Sequence, residues 1–428
     1  MTHHGHHGHF DALETRDPAA REAALMSALP TQVRNAQATA AFAGILQGVD
    51  AAAVHSREAL AQLPVTRKSE LLARQQAQRA DPASRDPFGG FATIGWRTQG
   101  AERHARRVFQ SPGPIYEPEG GAPDYWRIAR AMFAAGFRAG DLLHNSFSYH
   151  LTPAGSMMET GAHAIGCTVF PGGVGNTELQ LQAMLELRPD GYVGTPSFLR
   201  IVVEKAAENG VALTGLSKAL VSGEAFPAAL RDWLIERGIH AYQAYATADV
   251  GLIAYETPAR EGLVLDEGVI VEIVRPGTGE PVADGEVGEV VVTVFNPDYP
   301  LLRFGTGDLS AILPGPCPSG RTNRRIRGWL GRADQTAKVR GMFVHPSQVA
   351  EVLRRHPALL RGRLVVDGEM ANDRMTLHVE TAAREDGLAE AVAGSVRDIT
   401  KLRAEVQLAA PGSLPNDGKV IEDRRKPT

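Results

Sequence analysis

Apolar and polar positions along the 428 residues fall into three successive textures. From about residue 18 to 74, apolar residues recur at helical spacing in an Ala-rich background punctuated at Pro30 and Pro64. Residues 82–100 are rich in Pro, Gly, Ser and Thr and read as loop. Helical and strand-like stretches then alternate: helix over 123–135, a short apolar run over 141–147, helix over 155–164 and strand over 167–170. Helix over 178–187, strand over 191–194, helix over 196–209 and a strand over 219–222 that breaks at Gly223 continue the series. Such alternation predicts a largely parallel sheet wrapped by helices.

Past Gly251 the texture turns β-rich. Runs at 269–274 and 288–293, separated by a Pro/Gly turn region at 276–285, predict a distorted antiparallel sheet or barrel appended to the α/β core. From about residue 335, strand-like runs at 364–366, 375–379 and 406–408, with a helix near 387–402, suffice for a small α+β domain. The expected fold class is therefore α/β. A large N-terminal domain over 17–333 holds mixed, largely parallel sheets with helices and a small β-rich subdomain; a small mobile α+β lid follows over 334–428. Residues 1–16 read as a flexible His-rich tail, although several imidazoles close together also suit a transition metal. No internal repeat is present.

Composition removes several function classes. Lys plus Arg is 45 against 49 for Asp plus Glu, and a net charge of −4 gives no bulk attraction to nucleic acid or anionic membrane. No apolar run approaches the roughly 20 residues that span a bilayer, and the start lacks the apolar stretch of a secretory signal. Two cysteines, Cys167 and Cys317, suit a reducing compartment better than a disulfide framework. A cytoplasmic enzyme is the expectation.

The strongest local signal is Tyr299-Pro-Leu-Leu-Arg-Phe-Gly-Thr-Gly-Asp308, an apolar strand that delivers a carboxylate at its tip. Gly305 and Gly307 let a ligand approach the backbone, and Asp308 can accept two hydrogen bonds from a ribose diol. In isolation the same residues describe a turn with a solvated Asp. They are followed in order by Gly331-Arg332-Ala-Asp334, Lys338-Val-Arg-Gly341, His345-Pro346 and Leu414-Pro-Asn-Asp-Gly-Lys419.

This order and spacing resembles the adenylate-forming superfamily of acyl–CoA ligases, adenylation domains and luciferases. In detail it is most similar to the phenylacetate–CoA ligase branch: Arg340-Gly-Met-Phe-Val-His-Pro-Ser-Gln matches that branch's Arg-Gly-Val-Asn-Val-Phe-Pro-Ser-Gln pattern. Residues 281–289 and 239–250 fit as well, and the resemblance covers nearly the whole chain. It implies an AMP-forming acid–thiol ligase that uses ATP, Mg2+ and coenzyme A on a small-molecule carboxylic acid of aryl or arylacetic type, with homodimerisation common in the branch.

Carried over residue by residue, the resemblance gives Asp308, helped by Arg332, the ribose hydroxyls. Ser222-Gly223-Glu224-Ala225 corresponds to the turn against the adenine. Tyr245-Ala246-Thr247-Ala-Asp249 corresponds to a segment whose tyrosine borders the nucleotide and whose acidic residue, here Asp249, coordinates Mg2+. Asp334 corresponds to the inter-domain hinge and Lys419 to the catalytic lysine that meets the carboxylate and α-phosphate. The chemistry needs such a cation, because attack of a carboxylate on phosphorus brings two anions together. Phe147 and Tyr149 match an aromatic segment beside the aryl acid, where ordinary core packing is the competing reading.

The phosphate loop departs from the pattern. Where the family has Ser-Ser-Gly-Thr-Thr-Gly-Lys-Pro, this chain has Gln110-Ser111-Pro-Gly113-Pro-Ile-Tyr-Glu-Pro118. Ser111 and Gly113 remain, but Pro112 and Pro114 remove amide donors, and Glu117 and Glu119 add negative charge where pyrophosphate would lie. Two outcomes stay open: slow ligation, or a protein that binds nucleotide or acyl ligand without full activity, with transfer to a carrier-protein thiol as a variant. Cys317-Pro-Ser-Gly-Arg lacks the second cysteine of a segment that holds zinc in some relatives, so no structural metal is expected there.

Overall fold

The structure, a computed structural model, describes residues 8–84, 86–96, 103–275, 278–330, 333, 337–340, 342–344, 346–368, 373–383, 386–415 and 419–425. The chain forms two compact units, Met1–Leu330 and Gly331–Thr428.

The first unit is built on a nine-stranded mixed sheet. Its five parallel strands run in the spatial order Thr168–Pro171, Leu142–Asn145, Gly191–Gly194, Lys218–Val221 and His240–Thr247. Each has a helix before or after it, such as Pro196–Glu208, whose cap Thr195 accepts from the Phe198 amide. Gly251–Glu256 then turns back antiparallel to His240–Thr247. Because parallel strands all point one way, the loops that follow them gather along one edge, the usual place for a ligand in such sheets.

A second, four-stranded sheet holds Thr66–Arg67, Phe304–Ser310, Gly288–Val294 and Val269–Val274 in that order. The three longer strands are antiparallel, and Thr66–Arg67 adds to Phe304 in parallel. It is an open sheet rather than a closed barrel. Val269–Val274 and Gly288–Val294 are buried at every position, so both faces are covered. Arg303, 2% exposed, sits inside this region. It forks onto Glu272 at 3.0 and 3.1 Å and also donates to the carbonyls of Ala61, Leu63 and Gly279.

Three local results differ from the sequence pattern. The helix Pro18–Gln37 runs through Pro30, since one missing amide is outweighed by the burial of Leu29, Val33 and Ala36 against the second sheet. The helix expected over 123–135 is confined to Ala129–Ala134: Asp124 and Arg127 have positive φ, and the Asp124 carboxylate accepts the Ala129 amide at 3.1 Å. Burial pushes that carboxyl up to about 7 against this amide bond, and the charge of Asp266 adds to the rise. Lastly, the end of the expected tail is not loose. Glu14 is buried and accepts from the Tyr255 hydroxyl at 2.6 Å, Arg321 at 3.0 Å and the Phe10 amide at 2.7 Å. Asp11 takes two bonds from Arg130.

The second unit has a four-stranded sheet in the order Glu405–Ala409, Arg374–Thr381, Leu359–Asp367, Ile421–Asp423. The helices Pro346–Arg355 and Leu388–Thr400 pack on it over a core of Val349, Val352, Leu364, Val366, Leu377, Val392 and Val396. Among the described residues no helix is long and apolar enough to cross a membrane.

Candidate active site

The edge where the parallel strands end carries most of the residues singled out by sequence. After Lys218–Val221 the chain turns at Gly223, φ +81°, a backbone state that favours glycine. Ser222 does not present its hydroxyl to the edge: it is buried and donates to the Ala244 carbonyl at 2.7 Å, tying the turn to the next strand. Glu224 accepts from the Ser197 hydroxyl at 2.6 Å, and Ala225 is exposed. The turn is thereby fixed in place from both neighbours.

Tyr245 and Ala246 flank an irregularity in the pairing of His240–Thr247 with Gly251–Glu256. The Tyr245 hydroxyl lies 2.9 Å from Asp308 Oδ2 and 3.1 Å from Thr306 Oγ1, while Trp329 Nε1 donates to Asp308 Oδ1 at 3.0 Å. Asp308 is thus positioned by donors on both carboxylate oxygens. A Cβ at Gly305 would come within 2.8 Å of the side-chain ends of both Arg67 and Glu289, which would have to move aside. Thr247 caps its own turn by accepting the Val250 amide at 3.3 Å.

The phosphate-loop counterpart is a β-hairpin. Arg107–Ser111 pairs antiparallel with Ile115–Glu119, Ser111 opposite Ile115, leaving Pro112-Gly113-Pro114 as the connection with Gly113 at φ +152°. Glu119 is held by Trp126 Nε1 and the Ser156 hydroxyl, each at 2.7 Å, and by Arg107 at 2.5 Å. Glu117, on the same strand face, is likewise buried and accepts from the Ser111 hydroxyl. Lys68 Nζ lies 3.4 Å from Ser111 Oγ and 3.3 Å from Asp249 Oδ2. Lys68 therefore links the hairpin and the predicted metal ligand Asp249 in one polar cluster.

Phe147 is packed in an apolar cluster with Phe109, Trp126, Met157 and Met158. Tyr149 is half-buried, and its hydroxyl accepts from Asn145 Nδ2 at 2.8 Å. Gly155 makes room for its ring: a Cβ there would lie 2.9 Å from Tyr149 and 2.7 Å from the Ser148 carbonyl. His150 is exposed. Burial, with Glu159 beside it, pushes the Tyr149 hydroxyl up, so it stays a neutral phenol.

In the second unit Lys419 is exposed and leads into the edge strand Ile421–Asp423. Further upstream in that unit, the Leu414 amide donates to Glu380 at 2.7 Å and Arg361 to the Pro415 carbonyl at 2.8 Å. Arg332 and Asp334 lie outside the described residues. Cys317 is buried, with Sγ 3.1 Å from Ser319 Oγ and 3.9 Å from Thr257 Oγ1. Among the described residues no group of three or more His, Cys, Asp or Glu side chains is arranged around a metal position.

Sequence reading missed Lys68, Thr306 and Trp329. For Lys68 a signal existed: it is the first residue of the helix Lys68–Ala80, where the helix dipole disfavours a cation. Its carboxylate partner Asp249 is 181 residues away.

Residues 135–294 match the AMP-binding enzyme family. The chain is similar to the phenylacetate–coenzyme A ligase of Thermus thermophilus, with 30% identity over 89% of this chain and 90% of the relative. It is also similar to that of Aromatoleum evansii, with 30% identity over 71% of this chain and 73% of the relative. Among solved structures, 2-hydroxyisobutyryl-CoA ligase, in complex with 2-HIB-AMP and CoA, superposes with a TM-score of 0.79 at 24% identity, over 97% of this chain and 92% of that one, a likeness of fold. With an identity of this size sustained over nine-tenths of a relative, the chain belongs to the phenylacetate–coenzyme A ligase family of adenylate-forming, AMP-binding enzymes.

Proposed function

We propose that this chain is an AMP-forming acid–coenzyme A ligase. In the first half-reaction a carboxylate oxygen attacks the α-phosphorus of ATP and pyrophosphate leaves. In the second, the coenzyme A sulfur attacks the acyl carbon of the adenylate and AMP leaves. The observation that carries this reading is the Tyr245–Asp308–Trp329 arrangement beside the Ser222–Ala225 turn: a carboxylate oriented by two donors at the edge of a parallel sheet suits a ribose diol. In this reading Ser222, Gly223, Glu224 and Ala225 form the adenine wall by backbone shape, since the Ser222 hydroxyl is committed to Ala244. Ala246 and Thr247 border the nucleotide, and Arg332 assists Asp308.

Asp249 fits a role toward Mg2+. Its Oδ2 faces Lys68, while Oδ1 is buried without a hydrogen-bond partner, a state that a hard cation relieves. The metal supplies charge neutralisation for the phosphates. Lys419 acts in adenylation as a point charge on the carboxylate and α-phosphate, and Asp334 is the hinge about which the second unit turns between half-reactions. The acid is of aryl or arylacetic type, taken beside Phe147 and Tyr149. The relatives' names support this choice, as does the aromatic character of that segment. With two buried free cysteines, the enzyme is read as cytoplasmic.

The hairpin in place of the phosphate loop favours one second reading: a homologue that binds AMP or acyl-AMP without full turnover of ATP, or that passes the acyl group to a carrier-protein thiol. Pyrophosphate release with a panel of aryl acids, with coenzyme A or a phosphopantetheinyl carrier as acceptor, separates these. Release that depends on an acid and on Lys419 supports the ligase. AMP binding with no release for any acid supports the alternative.

A further inference from the structure

The family loop places a lysine where this chain has Glu117, and the structure turns that residue inward rather than to solvent. Glu117 is 0% exposed, Asp249 4% and Tyr299 1%. They come from three separate parts of the chain: the hairpin, the turn after His240–Thr247, and the segment before Phe304–Ser310. One oxygen of each carboxylate has a protein partner, the Ser111 hydroxyl for Glu117 and the Lys68 ammonium for Asp249. The other oxygens, Glu117 Oε2 and Asp249 Oδ1, are buried with no hydrogen-bond partner, and so is the Tyr299 hydroxyl.

Buried polar groups in folded proteins are nearly always paired, so three unpaired oxygens in one region call for a ligand. Two ionised carboxylates against one ammonium also leave an unbalanced negative charge on buried groups. The groups lie in each other's field: burial raises the Glu117 carboxyl and the charge of Asp249 adds to it, while Tyr299 is raised by burial and then by Asp249 and Glu117. Every unsatisfied atom is an oxygen. That donor chemistry selects hard divalent cations such as Mg2+ or Mn2+, which are held by one or two carboxylates and complete their shells with water and phosphate.

We propose that Glu117 and Asp249 together hold a divalent cation in the nucleotide-free protein, so that the metal is resident before the nucleotide arrives. With the cation present and both carboxylates ionised, two negative charges face the Lys68 ammonium and a divalent cation, so the cluster is net positive and offers phosphate oxygens the sign of charge that the missing loop lysine would supply. The amide donors lost at Pro112 and Pro114 are then less needed. The proposal rests on the reading of Asp249 as a metal ligand, extends it to Glu117, and is tested without nucleotide or acid so that it can fail while the ligase reading stands.

The test is titration of Mn2+ into the full-length, nucleotide-free protein, with free Mn2+ followed by electron paramagnetic resonance and Mg2+ as competitor. The His-rich start is common to all variants and cancels in their differences. The expected result is a site displaced by Mg2+ whose affinity falls roughly tenfold or more in Glu117→Gln and in Asp249→Asn. Lys68→Met, which removes the competing ammonium and keeps both carboxylates, is expected to bind more tightly than wild type. A measurement that needs no variant is the melting temperature of the wild type, which Mg2+ should raise. An unchanged Mn2+ isotherm in Glu117→Gln overturns the proposal, as does a wild type whose melting temperature Mg2+ leaves unmoved, the buried oxygens then being satisfied by water or a proton. Pyrophosphate release, measured separately, reports on the ligase reading alone.

Discussion

The Tyr245 hydroxyl stands 2.9 Å from Asp308 Oδ2, joining the strand that ends the parallel series to the strand that carries the Gly-Thr-Gly-Asp motif. One contact thus couples the two sheets at the point where the ribose is proposed to lie. Trp329 fixes the other carboxylate oxygen, so Asp308 has little rotameric freedom before any ligand binds.

Asp308→Ala is expected to weaken AMP binding by about ten- to a hundredfold, because a hydroxyl bond to a charged acceptor is worth roughly 1.5–3 kcal/mol. Tyr245→Phe keeps the carboxylate and should lose less, within about tenfold. Isothermal titration calorimetry with AMP measures both. An Asp308→Ala affinity equal to wild type would remove the ribose role.

Lys419→Ala is expected to lower acid-dependent ATP–pyrophosphate exchange by roughly a hundred- to a thousandfold, the scale for removing one charge-stabilising group from a transition state. The reaction of pre-formed acyl-AMP with coenzyme A should change only a few-fold. Equal losses in both half-reactions would show that the lysine has another task.

Gly155→Ala places a Cβ 2.9 Å from the Tyr149 ring. The ring must shift, and with it the proposed acyl wall. The expected outcome is a higher KM for the acid with a nearly unchanged KM for ATP in steady-state kinetics. Equal effects on both would point to a general distortion.

Asp124 sets a pH dependence. Burial lifts its carboxyl to about 7, so the folded chain keeps a proton that an ordinary carboxylate, near 3.8, has released. The stability this contributes is complete below that ordinary value and is lost as pH rises towards 7. Relative to Asp124→Asn, the wild type should therefore lose stability between about pH 4 and 7 in urea denaturation. A constant difference across that range would contradict the assignment.

Arg303→Met leaves Glu272 buried without its cation and three carbonyls without their donor. Breaking a buried pair in this way costs about 3–5 kcal/mol. Chemical denaturation should show a loss of that order, and a loss under about 1 kcal/mol would mean that water replaces the guanidinium.

Much of this architecture was legible because it is local. The alternating apolar runs gave the parallel strands, and the glycines before Asp308 marked a strand whose backbone is closely approached, at Gly305 by Arg67 and Glu289. What escaped the sequence was long-range pairing. Nothing around Lys68 names Asp249, and nothing around Glu117 and Glu119, which share a strand face, says that both are buried on different partners, Ser111 for one and Trp126 with Ser156 for the other. Pro30 misled for a related reason. Local backbone rules end a helix there, and only the tertiary burial of Leu29 and Val33 carries it on.

The buried Glu14 has a practical bearing on how the polypeptide is handled. Trimming the imidazole-rich leader back to Pro18 would delete the carboxylates of Asp11 and Glu14 together. Arg130 and Arg321 would be left as interior cations with fewer counter-ions, and the Tyr255 phenol would lose its acceptor. Any cleavable affinity handle is best cut ahead of Phe10, where the chain already behaves as part of the folded body.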